Sequence, residues 1–155
     1  MKNSTLTEVI VLAGGLGTRL RSVVKDIPKP MADISGRPFL EYVFNYLQPQ
    51  GIKRIILAVG YRYELIEQHF GRHYKGMEIV YAIENTPLGT GGAIRLALRH
   101  AKTENVGVLN GDTLFTADLQ KLYTFHCEKN ANLSLAVCEM HLSLIHISEP
   151  TRHRR

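Results

Sequence analysis

The sequence predicts an α/β domain built on a mainly parallel sheet with helices on both faces. Three observations carry that expectation. Short β-branched runs end at glycine, stretches with apolar residues at helical spacing alternate with them, and the glycine-rich polar segments follow the carboxyl ends of the runs. Ligands of open parallel sheets bind at that edge.

Residues 8–13 (Glu-Val-Ile-Val-Leu-Ala) read as a first strand buried on both faces and stopped at Gly14-Gly15. A long connection through Pro28, Pro30 and Gly36 leads to residues 38–50. There Phe39, Leu40, Val43, Phe44 and Leu47 recur at helical spacing, Pro38 suits a first turn and Gly51 a C-terminal stop. Residues 54–59 repeat the strand-then-glycine pattern at Gly60, and residues 63–70 suit a short helix ending at Gly71. A third strand is predicted over 77–83. A helix follows over 90–101 with Ile94, Leu98 and Ala101 on one face, then a fourth strand over 106–110 that runs into Gly111-Asp112. Asp118 is a candidate N-cap for a helix through Glu128, and residues 132–139 alternate as a further strand would. No internal repeat or linker divides the chain.

The 155 residues suit one domain, and 45% hydrophobic with 21% charged residues excludes disordered and collagen-like chains. No apolar run approaches the roughly 18 residues of a membrane span, so neither a membrane anchor nor a secretory signal is expected. Cys127 and Cys138 match no metal or redox spacing, which points to reduced thiols in a cytoplasmic protein. The net charge of +5 is concentrated partly in Arg152, Arg154 and Arg155. The rest lies near glycine-rich turns without an aromatic ladder, which suggests a phosphate-bearing small molecule over nucleic acid. Residues 1–141 are expected to form the domain and 142–155 a non-native or disordered tail. That tail has no helical period, and residues 144–152 resemble translated sequencing-adapter sequence. An edge strand over 142–147 is the alternative.

The chemistry-bearing residues lie in the loops. Leu12 and Ala13 lead into Gly14-Gly15-Leu16-Gly17-Thr18-Arg19-Leu20, where glycine-freed backbone N–H groups can point into an anion. The third glycine of a dinucleotide fingerprint is missing, and no Gly-Lys-Ser/Thr of a Walker A loop follows. Arg19 and Lys29, the latter stiffened between Pro28 and Pro30, add two cations suited to a triphosphate. Asp112 reads either as an ordinary turn residue or as a Mg²⁺ ligand, because Mg²⁺ needs only one or two carboxylates beside phosphate oxygens. The three glycines of the loop Glu84-Asn85-Thr86-Pro87-Leu88-Gly89-Thr90-Gly91-Gly92 could let a flat base approach the backbone closely, and Pro87, Gly89 and Thr90 are candidate nucleotide-binding residues. Glu84 could then accept from guanine's adjacent donors; the alternative is a capping loop with Glu84 in water.

Residues 14–20 with Pro28-Lys29-Pro30 at this spacing, Pro87-Leu88-Gly89-Thr90-Gly91-Gly92 and Asn110-Gly111-Asp112 resemble the sugar-1-phosphate nucleotidyltransferase family over residues 8 to about 140. Within it the sequence is most similar to bacterial guanylyltransferases acting on D-glycero-D-manno-heptose 1-phosphate or mannose 1-phosphate. The resemblance implies the Rossmann-like nucleotide-binding half of a glycosyltransferase-A-type fold, truncated. It places Gly14, Gly15, Arg19 and Lys29 around the phosphates of GTP, Glu84 and Gly89 near the base, and Asp112 on Mg²⁺. The acceptor would be a sugar 1-phosphate, and the full-length protein could form a homo-oligomer. The family's second metal aspartate, its sugar-phosphate lysine and most of its sugar pocket fall beyond the matched region, so weak or absent turnover is expected. A non-catalytic nucleotide-binding domain of the same fold, or a uridylyl- or thymidylyltransferase, remains an alternative. His126 reads as half-buried structure, and His69 with His73 lack a third metal ligand.

Overall fold

A computed structural model describes residues 5–14 and 27–137. In chain order its elements are β1 (Glu8–Leu12), the two-residue strands β2 (Asp33–Ile34) and β3 (Arg37–Pro38), α1 (Phe39–Leu47), β4 (Arg54–Val59), α2 (Tyr63–Phe70), β5 (His73–Tyr74), β6 (Met77–Ile83), α3 (Gly89–Leu98), β7 (Gly107–Asn110) and α4 (Leu119–Glu128).

The main sheet has the order β5-β6-β4-β1-β7, parallel throughout except for β5, which runs antiparallel to β6 at the edge. Pleating explains why these apolar runs lie inside. Val9 pairs with Ile55 and Ile55 with Ile79, and Val9, Val11, Ile55, Leu57 and Ile79 share the face covered by Leu40, Val43, Phe44 and Leu47 of α1, Ile66 and Phe70 of α2 and Leu119 of α4. Ile10, Ile56, Ala58 and Ala82 point the other way onto Ala93 and Ala97 of α3. A strand buried on both faces cannot alternate apolar with polar, which is why β1 and β4 are nearly continuous apolar runs. The predicted α/β architecture is present.

Helix ends follow their local chemistry. The chain after α1 tightens into a 3₁₀ turn, Gln48–Gln50, and stops at Gly51, whose φ of +81° is left-handed. Asp118 caps α4 by accepting from the Lys121 N–H at 2.9 Å.

Two expectations are corrected. Helix α3 buries Ala93 and Ala97, with Ile94 and Ala101 beside them, while Leu98 stays about half exposed. The small alanines let the helix approach the sheet closely, and Leu98 lies on the solvent side of that stripe. The strand expected over 132–139 is not formed in its described part, 132–137. Leu133, Leu135 and Val137 are largely exposed. The Ala131 N–H bonds to His126 and the Ser134 hydroxyl lies 3.0 Å from the His126 ring, which ties the segment back to α4. With no described strand alongside to complete a ladder, alternation alone does not make a strand. The His126 ring also approaches Asn105 at 3.3 Å, matching its reading as half-buried structure.

Glu8 lies within β1 and is buried, the sole fully buried charged residue among those described. Its carboxylate accepts from the backbone N–H of Lys102 (2.9 Å) and of Thr103 (3.0 Å), the Thr103 hydroxyl (2.8 Å) and the Arg54 guanidinium. Arg54 in turn bonds Glu78 at 2.9 Å and the His100 carbonyl at 2.7 Å. This network joins β1, β4, β6 and the segment entering β7 at the amino-terminal edge, opposite the glycine-rich loops.

Candidate functional site

The strand order sets where a ligand can sit. From β1 the chain moves outward to β4 and β6, then returns to pair β7 with the other side of β1, so the switch point lies between β1 and β7. At its carboxyl end the β1 backbone is pinned on both sides: the Gly111 N–H beyond β7 donates to Leu12 O at 2.7 Å, and the Ala13 N–H donates to Ala58 O of β4 at 2.8 Å. Gly111 is buried, and a β-carbon there would stand 2.9 Å from the Leu12 carbonyl oxygen and 3.2 Å from Ala13 Cβ. Only glycine lets β7 turn this close to β1, and the turn delivers Asp112 to the switch point.

Lys29 reaches the same place from a different part of the chain. It opens a 3₁₀ turn, Lys29–Met31, closed by the Met31 N–H on Pro28 O at 2.8 Å, with Pro30 buried beneath it. Its ammonium donates to Asp112 Oδ2 at 2.5 Å, and the Thr113 hydroxyl donates to Oδ1 at 3.2 Å. The hydrogen bond and charge of Lys29 outweigh desolvation and hold the Asp112 carboxyl below its ordinary range. Asp112 is therefore ionised at neutral pH. Both side chains are more than a third exposed, so the pair faces solvent and a ligand can separate it.

Glu84 stands further along this edge, at the end of β6. Its N–H donates to Val59 O at 2.8 Å, and its Oε2 accepts the Leu88 N–H at 3.1 Å, closing the loop that enters α3. Its Oε1 lies against Gly14, where a β-carbon would be 3.3 Å away. Glu84 thus closes the loop, but it is half-buried beside the end of β1 where the capping-loop alternative had it in water. Pro87, Gly89 and Thr90 are exposed in the same loop. Gly89 begins α3 with a left-handed φ of +68°, and Gly92 is pressed so tightly on Leu88 that a β-carbon would come within 2.5 Å of Leu88 Cβ.

Leu12, Ala13, Gly14, Lys29, Glu84, Gly111 and Asp112 are therefore gathered on one edge of the sheet. Gly15, Gly17, Thr18 and Arg19 lie outside the described residues. Cys138 and the tail over 142–155 lie outside them too. No cluster of three or more metal-ligating side chains occurs among the described residues, and His69 with His73 form none. Sequence reasoning took Gly60 only as a strand stop. In the structure a β-carbon at Gly60 would stand 3.9 Å from Glu84 Cβ, and the Tyr61-Arg62 turn follows at the same edge with Arg62 at a φ of +54°. A strand followed by glycine at the same phase as β1 was the available signal. No described helix is long and apolar enough to cross a membrane.

Comparison with known proteins agrees with this architecture. The chain is 54% identical over 133 residues to the D-glycero-alpha-D-manno-heptose 1-phosphate guanylyltransferase of Aneurinibacillus thermoaerophilus, covering 86% of this chain and 58% of that protein. It is 57% identical over 115 residues to the enzyme of the same name from Campylobacter jejuni, covering 74% and 52%. The crystal structure of HddC from Yersinia pseudotuberculosis complexed with GMP-PN superposes with a TM-score of 0.69 at 43% identity, covering 82% of this chain and 55% of that one. The chain thus spans a little over half the length of these relatives. Residues 8–143 match the nucleotidyl transferase family, and the chain belongs to that family.

Proposed function

We propose that this chain supplies the nucleotide-binding part of a guanylyltransferase that joins GTP and a sugar 1-phosphate, of the heptose or mannose class, into a GDP-sugar and pyrophosphate. The observation that carries the reading is the Lys29–Asp112 pair at the switch point, with Glu84 on the same edge. The guanine preference is supported by 54% and 57% identity to heptose 1-phosphate guanylyltransferases and by the likeness to a protein crystallised with GMP-PN.

A sugar phosphate is already an anionic nucleophile. One of its oxygens forms the new bond to the α-phosphorus of GTP, the bond from that phosphorus to the bridging oxygen breaks, and pyrophosphate leaves with the electron pair. No proton need be abstracted, so the task is to hold two anions in line and to neutralise the leaving group. In this reading Lys29 leaves Asp112 for the triphosphate, joined by Arg19 and the backbone N–H groups of the loop after Gly14. Asp112 is an ionised, hard oxygen donor, which suits Mg²⁺ once phosphate oxygens complete the ligand set. Bound there, Mg²⁺ would stabilise charge on the phosphates. Glu84 reads the base.

In this reading the 155-residue chain binds the nucleotide, and weak or absent turnover with a sugar 1-phosphate is expected. The product would serve surface-glycan assembly, in the cytoplasm. Calorimetry with GTP, UTP, dTTP and ATP in the presence of Mg²⁺ tests the nucleotide half, with GTP expected to bind at least several-fold more tightly. Equal or preferential binding of UTP or dTTP would overturn the guanine assignment. Brisk pyrophosphate release with GTP and mannose or heptose 1-phosphate would overturn the expectation of weak turnover.

A further inference from the structure

We propose that Tyr46 is a positioning residue for the Lys29–Asp112 pair, because its hydroxyl ties the loop leaving Asp112 to the same helix that holds the turn carrying Lys29. The inference rests on the reading of this edge as a nucleotide site.

Helix α1 is fastened to both partners' segments. At its start the Phe39 N–H donates to Ala32 O at 2.9 Å, and the Ala32 N–H donates to Lys29 O at 3.0 Å, which joins the first residue of α1 to the turn that presents Lys29. The helix also packs against that turn. Toward its end the Tyr46 hydroxyl donates to the Ala117 carbonyl oxygen and accepts the Ala117 N–H at 2.9 Å. The chain after Asp112 is exposed from Thr113 to Thr116, between Gly111, pinned on Leu12 O, and Ala117, pinned on Tyr46. Lys29 and Asp112 stand 83 residues apart in sequence, and α1 is the body that fixes one flanking segment relative to the other.

A hydroxyl suits this task because it donates and accepts at once, and so satisfies both backbone groups of a single residue. Tyr46→Phe keeps the ring against the core and removes only those two bonds. The start of α4 does not depend on them, since Asp118 caps it and Gln50 Oε1 accepts the Leu119 N–H at 2.8 Å. Lys29 keeps its own tie through Ala32. The loss therefore falls on the loop that sets the Asp112 carboxylate against Lys29.

Calorimetry of GTP binding to the 155-residue chain, with and without Mg²⁺, tests this beside urea unfolding and amide hydrogen exchange. In Tyr46→Phe the factor by which Mg²⁺ tightens GTP is expected to fall about threefold or more, while GTP affinity without metal moves less than about twofold. Gln50→Ala, which removes a neighbouring tie to α4, is expected to lower the urea midpoint and leave that factor as it was. Linkage requires a reciprocal effect in the unchanged chain: binding of Mg²⁺ and GTP should slow exchange of the Ala117 amide more than that of the Leu119 amide. A factor unmoved in Tyr46→Phe, or equal slowing at Ala117 and Leu119, would overturn this inference and leave the proposed function standing. Absence of any nucleotide binding by the unchanged chain would overturn both.

Discussion

Replacing Glu8 with alanine probes how the edge opposite the site holds the strands that carry it. The side chain is buried and accepts four hydrogen bonds: two from backbone N–H groups, one from a hydroxyl and one from a guanidinium. Removing one member of a buried ion pair typically costs about 3–5 kcal/mol. Two features temper this. Arg54 keeps Glu78 and the His100 carbonyl, and the Thr103 hydroxyl keeps the Asn105 carbonyl at 2.9 Å. Among the described residues the backbone N–H groups of Lys102 and Thr103 have no other acceptor, so a loss of about 3 kcal/mol is expected. At about 2–4 °C per kcal/mol for a chain of this size, the melting midpoint falls by about 6–12 °C. Urea unfolding followed by far-ultraviolet circular dichroism measures it, and a loss below about 1 kcal/mol would refute the assignment. The pH dependence supplies a second arm. Burial alone would raise the Glu8 carboxyl, but the hydrogen bonds from Lys102, Thr103 and Arg54 outweigh it and hold it below its ordinary value. A carboxyl depressed in the folded state contributes stability that is complete above the ordinary glutamate value of about 4.3 and is lost as the pH falls through the folded value. Glu8→Gln should remove that part of the acid sensitivity, and an unchanged acid limb would contradict the argument.

Three further outcomes are expected. Gly111→Ala forces a β-carbon to 2.9 Å from the Leu12 carbonyl oxygen, so it should destabilise by about 1–3 kcal/mol and weaken nucleotide binding by displacing Asp112; native melting would refute the close approach. Lys29→Met frees Asp112 from its 2.5 Å partner, so paramagnetic Mn²⁺ titration without nucleotide should show a few-fold tighter metal binding while GTP affinity with Mg²⁺ falls about tenfold; parallel losses of both would refute the exchange of partners. Gln120→Ala removes bonds to Leu6 N–H, Leu6 O and Gln50 O, of 2.9, 2.8 and 2.7 Å, and should cost about 2–3 kcal/mol in urea unfolding, with an effect under 0.5 kcal/mol arguing against the staple.

Much of the fold was legible because the strands are buried on both faces and glycines punctuate them. Met77–Ile83 is bounded as its sequence pattern predicts, and Asp118 caps α4 where its side chain chemistry places it. What local pattern does not reveal is what lies alongside. Residues 132–137 alternate as well as a strand does, yet a ladder needs a neighbour, and the Ser134 contact with His126 holds the segment to α4. Leu98 is more apolar than Ala97 and still faces solvent, because the helix-to-sheet distance rewards the small residue. Glu8 is a charged residue in a run expected to be buried on both faces, and nothing local in the sequence reveals what satisfies it, because its partners Arg54 and Thr103 lie 46 and 95 residues away.

The site shows the same division from the opposite side. Glycine-rich turns after β1 and β7 announce themselves locally, and the topology then makes them adjacent, since β7 is the strand that returns to pair with β1. Lys29 is the harder case. Its neighbouring prolines stiffen its own turn but say nothing of its target 83 residues on. The structure supplies that target, and the pairing carries a physical consequence for ligand entry. An ammonium and a carboxylate that neutralise each other at 2.5 Å leave neither free for a lone phosphate or a lone divalent cation. A metal–triphosphate unit offers each of them a new partner in the same step, so uptake of the two together avoids leaving either charge unmatched. The measurable form of that coupling is reciprocal: the factor by which GTP tightens the metal must equal the factor by which the metal tightens GTP. Lys29→Met should lower that factor, because half of the exchange has been removed.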